Sequence, residues 1–548
     1  MKKKLLITRK LMAAMLSGAM VLSMAACGND AGESSSASVS DSEESSAPES
    51  SVDEESSEAE ATPEPEEEPK YDFGGRVVRI GSYYDMTPDP TENALQAALS
   101  ERIAFVEENY NCKIEFVVLD DYQTDYVTSV LAGDPIVDIG YAITSRILPS
   151  LIEGGILYPV SDLDTIDLTE YKWRSDVVEA GHYKGKDYAF LVKDPEIRYG
   201  IFWNKTLFDQ YNLPNLYELV ENDEWTWEKF KEIAIAAAQD TDSDGTVDID
   251  GLAARENLAW CYLYSNGAYV AEKTDSGMTV DLNDPAVTEA LTALQDFTTT
   301  VDYRSAIDWS TEGWDAQITD FRAGNVMMLL EEYWVSYAYM NNKETPMSDD
   351  WGWVPFPKGP SATDWSCYGK ENGCRVMLNG IDNPEEVAQI YDLITDLADT
   401  DEEWEELMED VLAGWADDSE TVELVSYIYN NKINVLNCVN GFGDLNGAIN
   451  EMIGKVTSGE MTPQTALETY QSQIDAAIAD LDNHDYDAEM QEYLKTDEEE
   501  GEGEGEAEGE GEAEGDDEGE AEGDDEAEAE GDGEAEGEGE AESEAEAE

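Results

Sequence analysis

Between Val77 and Tyr141 the spacing of apolar residues changes character repeatedly, and this alternation constrains the fold more than any other feature of the chain. Val77 to Ile80 reads as a strand. From Glu92 to Tyr110 the apolar positions Leu95, Leu99, Ile103, Val106 and Tyr110 recur at the three-to-four spacing of an amphipathic helix. Lys113 to Leu119 alternates Ile114, Phe116 and Val118 with polar neighbours, and Ile136 to Tyr141 reads as a short buried strand after the turn Gly133-Asp134-Pro135. Strand, helix, strand, helix, strand predicts an α/β layer built on a mostly parallel sheet. Far downstream, Thr462-Pro463 supplies an N-cap and a proline at the first helical position, which predicts a helix through about Leu481.

Two segments bracket this region and have no means of forming a core. Residues 28–69 hold 15 acidic residues and no basic one among Ser, Ala and Pro, and residues 497–548 hold 30 acidic residues, again without Lys or Arg. The first reads as an extended, self-repelling tether and the second, from 493 to 548, as a low-complexity tail of Glu, Gly and Ala. Across the whole chain 127 Asp and Glu oppose 31 Lys and Arg, a net charge of −96, with only 2 His. Such a polyanion is repelled by phosphate backbones, which excludes nucleic-acid binding, and the histidine supply argues against His-rich zinc sites and histidine triads. The 13 Trp and 28 Tyr are too many for a disordered acidic protein, and they place the folded part at about residues 70–496.

The N-terminus reads as an export signal. Lys2, Lys3, Lys4, Arg9 and Lys10 precede an uncharged apolar stretch ending at Met24-Ala25-Ala26-Cys27. Small residues followed by Cys27 resemble the lipobox of bacterial lipoproteins, which implies a signal peptide over 1–27, a lipid on Cys27 and an extracytoplasmic, membrane-tethered chain. Beyond Cys27, five irregularly spaced cysteines form neither a disulfide framework nor a CxxC metal site, although Cys367 and Cys374 lie close enough in sequence for a bridge to be considered.

A series of short motifs then resembles one family. Gly133 to Ile139 looks like the segment after the first βαβ unit of family 1 extracellular solute-binding proteins, the sugar-binding subunits of ABC importers. Lys184 to Phe190, Tyr199 to Lys205, Trp225 to Phe230, Phe321 to Met328 and Gly459 to Leu467 resemble its further signatures, in order and over about 400 residues. Two departures stand out: an acid before the proline at Asp194-Pro195, and Glu331-Glu332 where a glycine usually precedes an aromatic residue. The resemblance implies a two-lobe, type II periplasmic-binding-protein-like clamp, with crossovers near Asp194 to Tyr199, Ser366 to Met377 and Asp399 to Glu402. Residues 70–196 with 375–400 would form lobe 1, and 197–374 with 401–492 lobe 2. Hinge closure around a ligand follows from that architecture. The function implied is capture of a carbohydrate for delivery to an ABC permease, with no catalysis. A surface carbohydrate-binding or adhesive protein and a glycoside hydrolase are the alternatives.

Sugar recognition needs flat apolar faces and fixed hydrogen-bonding groups. The candidates in the second half are Trp203, Trp260, Trp309, Trp314, Glu331, Glu332, Tyr333 and Trp334, with Trp351 and Trp353 nearby. By the resemblance, Tyr333 occupies the stacking position, and Trp334 takes that role if the register shifts by one. Tyr83, Tyr84 and Asp85 lie where the family's first loop reaches the cleft. The negative field favours a neutral or cationic solute. One metal motif is present, from Asp240 to Asp248. Asp240, Asp242 and Asp244 with Gly245 at the sixth place match a calcium loop, and Thr246 and Asp248 add a carbonyl and a ninth-place ligand. The twelfth place is Gly251, so the usual bidentate Glu is missing.

Overall fold

The computed structural model describes residues 71–494 except 275–276, 306–312, 432–433 and 482. Cys27, Trp309 and both acidic segments lie outside the described residues. Eight strands build the two larger sheets: β1 (Arg76–Ser82), β2 (Cys112–Val118), β3 (Ile139–Ile143), β4 (Leu157–Tyr158), β5 (Tyr199–Asn204), β6 (Met328–Glu332), β7 (Trp351–Pro355) and β8 (Gly373–Leu378). The first sheet has the order β2-β1-β3-β8-β4 and the second the order β6-β5-β7.

The opening alternation forms much as its periodicity predicts. The first helix, Ala94–Tyr110, starts two residues later than expected because Asn93 caps it, its side-chain oxygen accepting from the Gln96 amide at 3.0 Å. The next helix, Tyr122–Ala132, stops at Gly133, whose φ of 78° is the left-handed conformation that a helix C-terminus favours. β1 pairs with β2 and β3 in parallel. The sheet is nevertheless mixed, because β8 inserts antiparallel between β3 and β4. Four strands therefore run one way and the returning strand runs against them. The second sheet is antiparallel throughout, with β5 in the centre.

The chain leaves the first sheet for β5, returns to it at β8, and then runs into the helix Asp401–Trp415, which packs against both Ala94–Tyr110 and the helix Ser419–Asn430. The closing helix spans Pro463–Leu481, as its capping residues predict. Cys367 and Cys374 are not bridged. Cys367 lies on a strand paired with Asn434–Val435, while the Cys374 thiol reaches the Ala142 carbonyl, and both are buried free thiols. No helix among the described residues is long and apolar enough to cross a membrane.

The second sheet carries a dense aromatic core. Phe202, at the middle of β5, is fully buried and packs against Phe321, Tyr333 and Trp351 with ring centroids 6.4, 6.3 and 5.7 Å away. Phe202→Ala should lower the unfolding free energy by about 3–5 kcal/mol, the range for emptying a buried phenylalanine site. A urea titration followed by tryptophan fluorescence measures it, and a change below about 1 kcal/mol would mean the site collapses around the loss.

Candidate functional site

The two acids that depart from the family pattern stand at the end of β6, and each is held by its own arginine. Glu331 is buried and accepts from the Arg255 guanidinium and, through Oε1, from the Glu332 amide at 3.1 Å. Burial pushes its carboxyl above the ordinary range, with Arg255 opposing. Glu332 Oε2 accepts from Arg198 Nη1 at 2.6 Å and from Trp334 Nε1 at 2.7 Å. Burial works against its charge as well, yet Arg198 and the bonds donated by Tyr199 and Trp334 leave its pKa below the ordinary value.

Trp334 is the ligand-platform candidate, and Tyr333 is not. Trp334 is partly exposed and lies 6.0 Å from both Trp314 and Tyr339, and Trp314 is 47% exposed. Tyr333 is fully buried, stacked on Phe202 and edge-on to Trp353 at 5.5 Å. Its amide donates to the Arg198 carbonyl at 3.1 Å, so the pairing with the strand region continues one residue past β6 and carries this ring into the core. Trp203 is likewise core: on β5 it is 2% exposed and packs edge-on to Phe208 and Tyr217. Both expectations are thereby corrected: Trp203 lies on the central strand of a covered sheet, and Tyr333, just past an edge strand, is folded back into the aromatic core. Trp351 and Trp353, on β7, are buried too.

Beside the acid pair lies a cavity of about 1020 Å³ lined by Arg255, Trp260, Tyr368, Lys370, Asn446 and Asn450, among others. Trp260 forms part of its wall, stacked on Tyr368 at 5.9 Å and donating from Nε1 to Asn450 Oδ1 at 3.0 Å. Arg255 joins the cavity to the aromatic wall by donating to the Trp314 carbonyl at 3.4 Å. Asn446 and Asn450 escaped the sequence reading. Their i,i+4 spacing on the helix Gly443–Thr457, with Asn450 donating to Asn446 at 2.9 Å, is the signal that marks one polar stripe on an otherwise apolar-facing helix.

The first sheet contributes a tyrosine cluster. Tyr83 and Tyr84 are 54% and 43% exposed just past β1, and both pack edge-on to Tyr141, at 5.3 and 5.8 Å. Arg375 on β8 lies 5.7 Å over the Tyr141 ring, and its positive charge opposes the rise in the Tyr84 pKa that burial causes. Asp85 is turned into its own loop, accepting from the Thr87 amide at 2.9 Å. Glu196 acts electrostatically on both Tyr84 and Tyr337, the latter three residues beyond Trp334, and Lys343 donates to the Thr91 and Glu92 carbonyls at 3.1 and 3.3 Å. The Lys343 bonds thus tie the segment after β6 to the loop that precedes the first helix.

In the acidic loop the carboxylates of Asp240, Asp242 and Asp244 are exposed and offer oxygens within 4.8 Å of one another. This all-oxygen set suits a hard divalent cation. Asp248 does not join it; its carboxylate accepts from the Thr241 amide at 2.6 Å. The Thr246 amide donates to Asp244 at 2.7 Å. A Cβ at Gly251 would stand 2.1 Å from the Ala234 carbonyl, so close packing against the helix Trp227–Ala237 forbids a glutamate at the twelfth place. Asp250, whose carboxyl burial pushes above the ordinary range, does not stand among the three gathered carboxylates.

Residues 88–399 match the family described as bacterial extracellular solute-binding protein. Solved structures similar to the chain include a cyclo/maltodextrin-binding protein complexed with maltotetraose, at 15% identity over 74% of this chain and 97% of that one, with a TM-score of 0.51. They also include the substrate-binding protein Lmo0181 of Listeria monocytogenes in complex with cycloalternan (18% identity, 74% and 99% covered, TM-score 0.48) and the GacH receptor of Streptomyces glaucescens (17%, 74% and 99%, TM-score 0.49). No curated protein matches the sequence. The first of these structures carries the fold: two α/β lobes.

The contrast between adjacent rings is measurable. Tyr333→Ala should cost about 3–5 kcal/mol of stability in urea unfolding, whereas Trp334→Ala should cost less than half as much. Equal losses would place both rings in the core.

Proposed function

The chain belongs to the bacterial extracellular solute-binding family, and from that premise we propose that it captures a neutral or cationic carbohydrate between its lobes and hands it to the membrane subunits of an ABC importer. The observation that carries this reading is the aromatic wall of Trp314, Trp334 and Tyr339 standing beside the polar cavity of Arg255, Asn446 and Asn450. Pyranose C–H faces need the first and sugar hydroxyls the second. The oligosaccharides bound by structurally similar proteins, maltotetraose and cycloalternan, have the same chemistry. Arg255 is matched by Glu331, and Glu256, Asp302 and Glu371 outnumber Lys370 around the cavity, so a phosphate finds no surplus of positive charge.

On this reading the lobes divide at residues 196/197, at 372/373 immediately before β8, whose Gly373 and Cys374 pair with β3 and so move the expected 374/375 boundary, and at 400/401. Ligand contacts to both lobes favour the closed form. The signal segment and Cys27 would tether the protein to the outer face of the membrane through a lipid, with residues 28–69 as spacer. Metabolic labelling with a palmitate analogue should mark the intact chain and spare Cys27→Ser.

Thermal-shift screening against a panel of neutral oligosaccharides, sugar phosphates and amino sugars tests the ligand class. A ligand at 100 times its Kd should raise stability by about 2.7 kcal/mol. Trp334→Ala should weaken the best binder at least tenfold by calorimetry, about 1.4 kcal/mol. Tight binding of a sugar phosphate with none of the neutral sugars would overturn the assignment.

For the loop Asp240 to Asp248 we propose structural calcium, held by Asp240, Asp242 and Asp244. EDTA should lower Tm and excess calcium restore it. A Tm indifferent to chelation, or equal in Asp242→Asn, would remove calcium from the fold.

A further inference from the structure

Glu332 is tied to three neighbours at once, and the pattern of those ties reaches from the platform to the first lobe. Its Oε2 accepts from Trp334 Nε1 at 2.7 Å and from Arg198 Nη1 at 2.6 Å, and the nearby Tyr199 hydroxyl also favours its charged form. With its side chain only 14% exposed, Glu332 offers a ligand hydroxyl little surface. The acid therefore acts on the indole beside it.

Arg198 lies one residue before β5, in the segment that crosses from the first sheet to the second. Its other terminal nitrogen, Nη2, donates to Asn372 Oδ1 at 2.6 Å. Asn372 lies one residue before β8, in the segment that crosses back. Asn372 is itself bonded twice to Thr144, directly after β3: the Thr144 amide donates to its carbonyl at 2.9 Å, and its amide donates to Thr144 Oγ1 at 3.1 Å. Trp334, Glu332, Arg198, Asn372 and Thr144 thus form an unbroken chain from the ligand face to the first sheet through both crossovers. Every link is a buried or half-buried hydrogen bond, and three of them, Trp334 to Glu332, Arg198 to Glu332 and Arg198 to Asn372, are charge-assisted, so the geometry tolerates little displacement without breaking. Glu331 does not compete for Arg198, because Arg255 holds it.

We propose that Arg198 and Glu332 are positioning residues that couple the orientation of the Trp334 ring to the interlobe angle, so that the platform is set only when the hinge is. The proposal rests on reading Trp334 as the ligand platform, but its test uses no ligand, so failure of the sugar assignment and failure of the coupling are separate results.

The informative variant is Asn372→Ala, which touches neither Trp334 nor Glu332 and removes only the link from Arg198 to the returning crossover. Two readouts are taken on the full chain. One is acrylamide quenching of Trp334, obtained as the difference between each protein and its Trp334→Phe counterpart. The other is the distance distribution between spin labels on ketone-bearing residues at the exposed positions 118 and 235, one in each lobe. Asn372→Ala should raise the quenching constant of Trp334 at least twofold and broaden the distance distribution. Glu332→Gln should do both as well, and the double variant should go no further than the larger single effect, because the links act in series. An unchanged Trp334 in Asn372→Ala would overturn the coupling. So would a Glu332→Gln protein whose Trp334 loosens while the distribution stays as narrow as in the wild type. If Glu332→Gln fails to fold, Asn372→Ala decides alone.

Discussion

Everything in the first lobe depends on one long-range pairing, the insertion of β8 between β3 and β4. Gly373 pairs with Ile143 and Met377 with both Ile139 and Tyr158, so a strand more than two hundred residues downstream fills the gap in a sheet begun at Arg76. Without it the sheet is two fragments, each with an unpaired buried edge, and every unpaired backbone group there would cost on the order of 1–3 kcal/mol. The same insertion sets how the two sheets are connected. Because the chain must return to the first sheet, the second sheet is an excursion with two crossovers side by side, and Arg198 and Asn372 meet there by necessity of topology rather than by local sequence.

The acidity of the chain makes its arginines unusual structural parts. Arg174 lies between Asp176 and Asp194, Arg198 between Glu196 and Glu332, and Arg255 against Glu331, each guanidinium having at least one carboxylate within 3.0 Å. Coulomb attraction at about 3 Å is roughly 5.5 kcal/mol at an effective dielectric of 20 before desolvation offsets it, and removing one partner of a buried pair costs roughly 3–5 kcal/mol. A residue type that is scarce in the chain is therefore placed where loss would be most damaging. Asp194-Pro195, which departs from the family's pattern, finds its reason here: the acid anchors a buried arginine next to the crossover.

The opening βαβαβ order, its first helix and the closing helix were legible because each depends on local periodicity and capping. The antiparallel return of β8 was not, since no local signal distinguishes it from any other short apolar strand. Likewise the aromatic residues could be counted but not sorted. Trp203 and Tyr333 look as suitable for a sugar as Trp314 and Trp334, and only the covering of the second sheet separates core rings from exposed ones. The acids of the calcium-like loop were legible by spacing, while the fate of Asp248 hung on two bonds from Thr241, one from its amide and one from its hydroxyl. Asn446 and Asn450 carry a readable i,i+4 signal whose meaning appears only once Trp260 and Tyr368 arrive from elsewhere in the chain.

Glu331 and Glu332 show that the charge of the site is set locally and not by the acidity of the molecule. Both sit in a chain of net charge −96, both lie largely out of water, and they are adjacent, yet burial raises one and the other ends below the ordinary value. The number of donors is what differs. Glu331 has one guanidinium and one backbone amide, whereas Glu332 has a guanidinium, an indole N–H and a phenol, with Lys370 adding its field. Each added donor stabilises the anion within hydrogen-bond range, where the surrounding medium screens little, while the distant acids act through water and salt over more than a Debye length of about 8 Å. On the proposed reading the overall charge biases which solutes approach, while these few donors set the ionisation of the carboxylate beside the Trp334 indole.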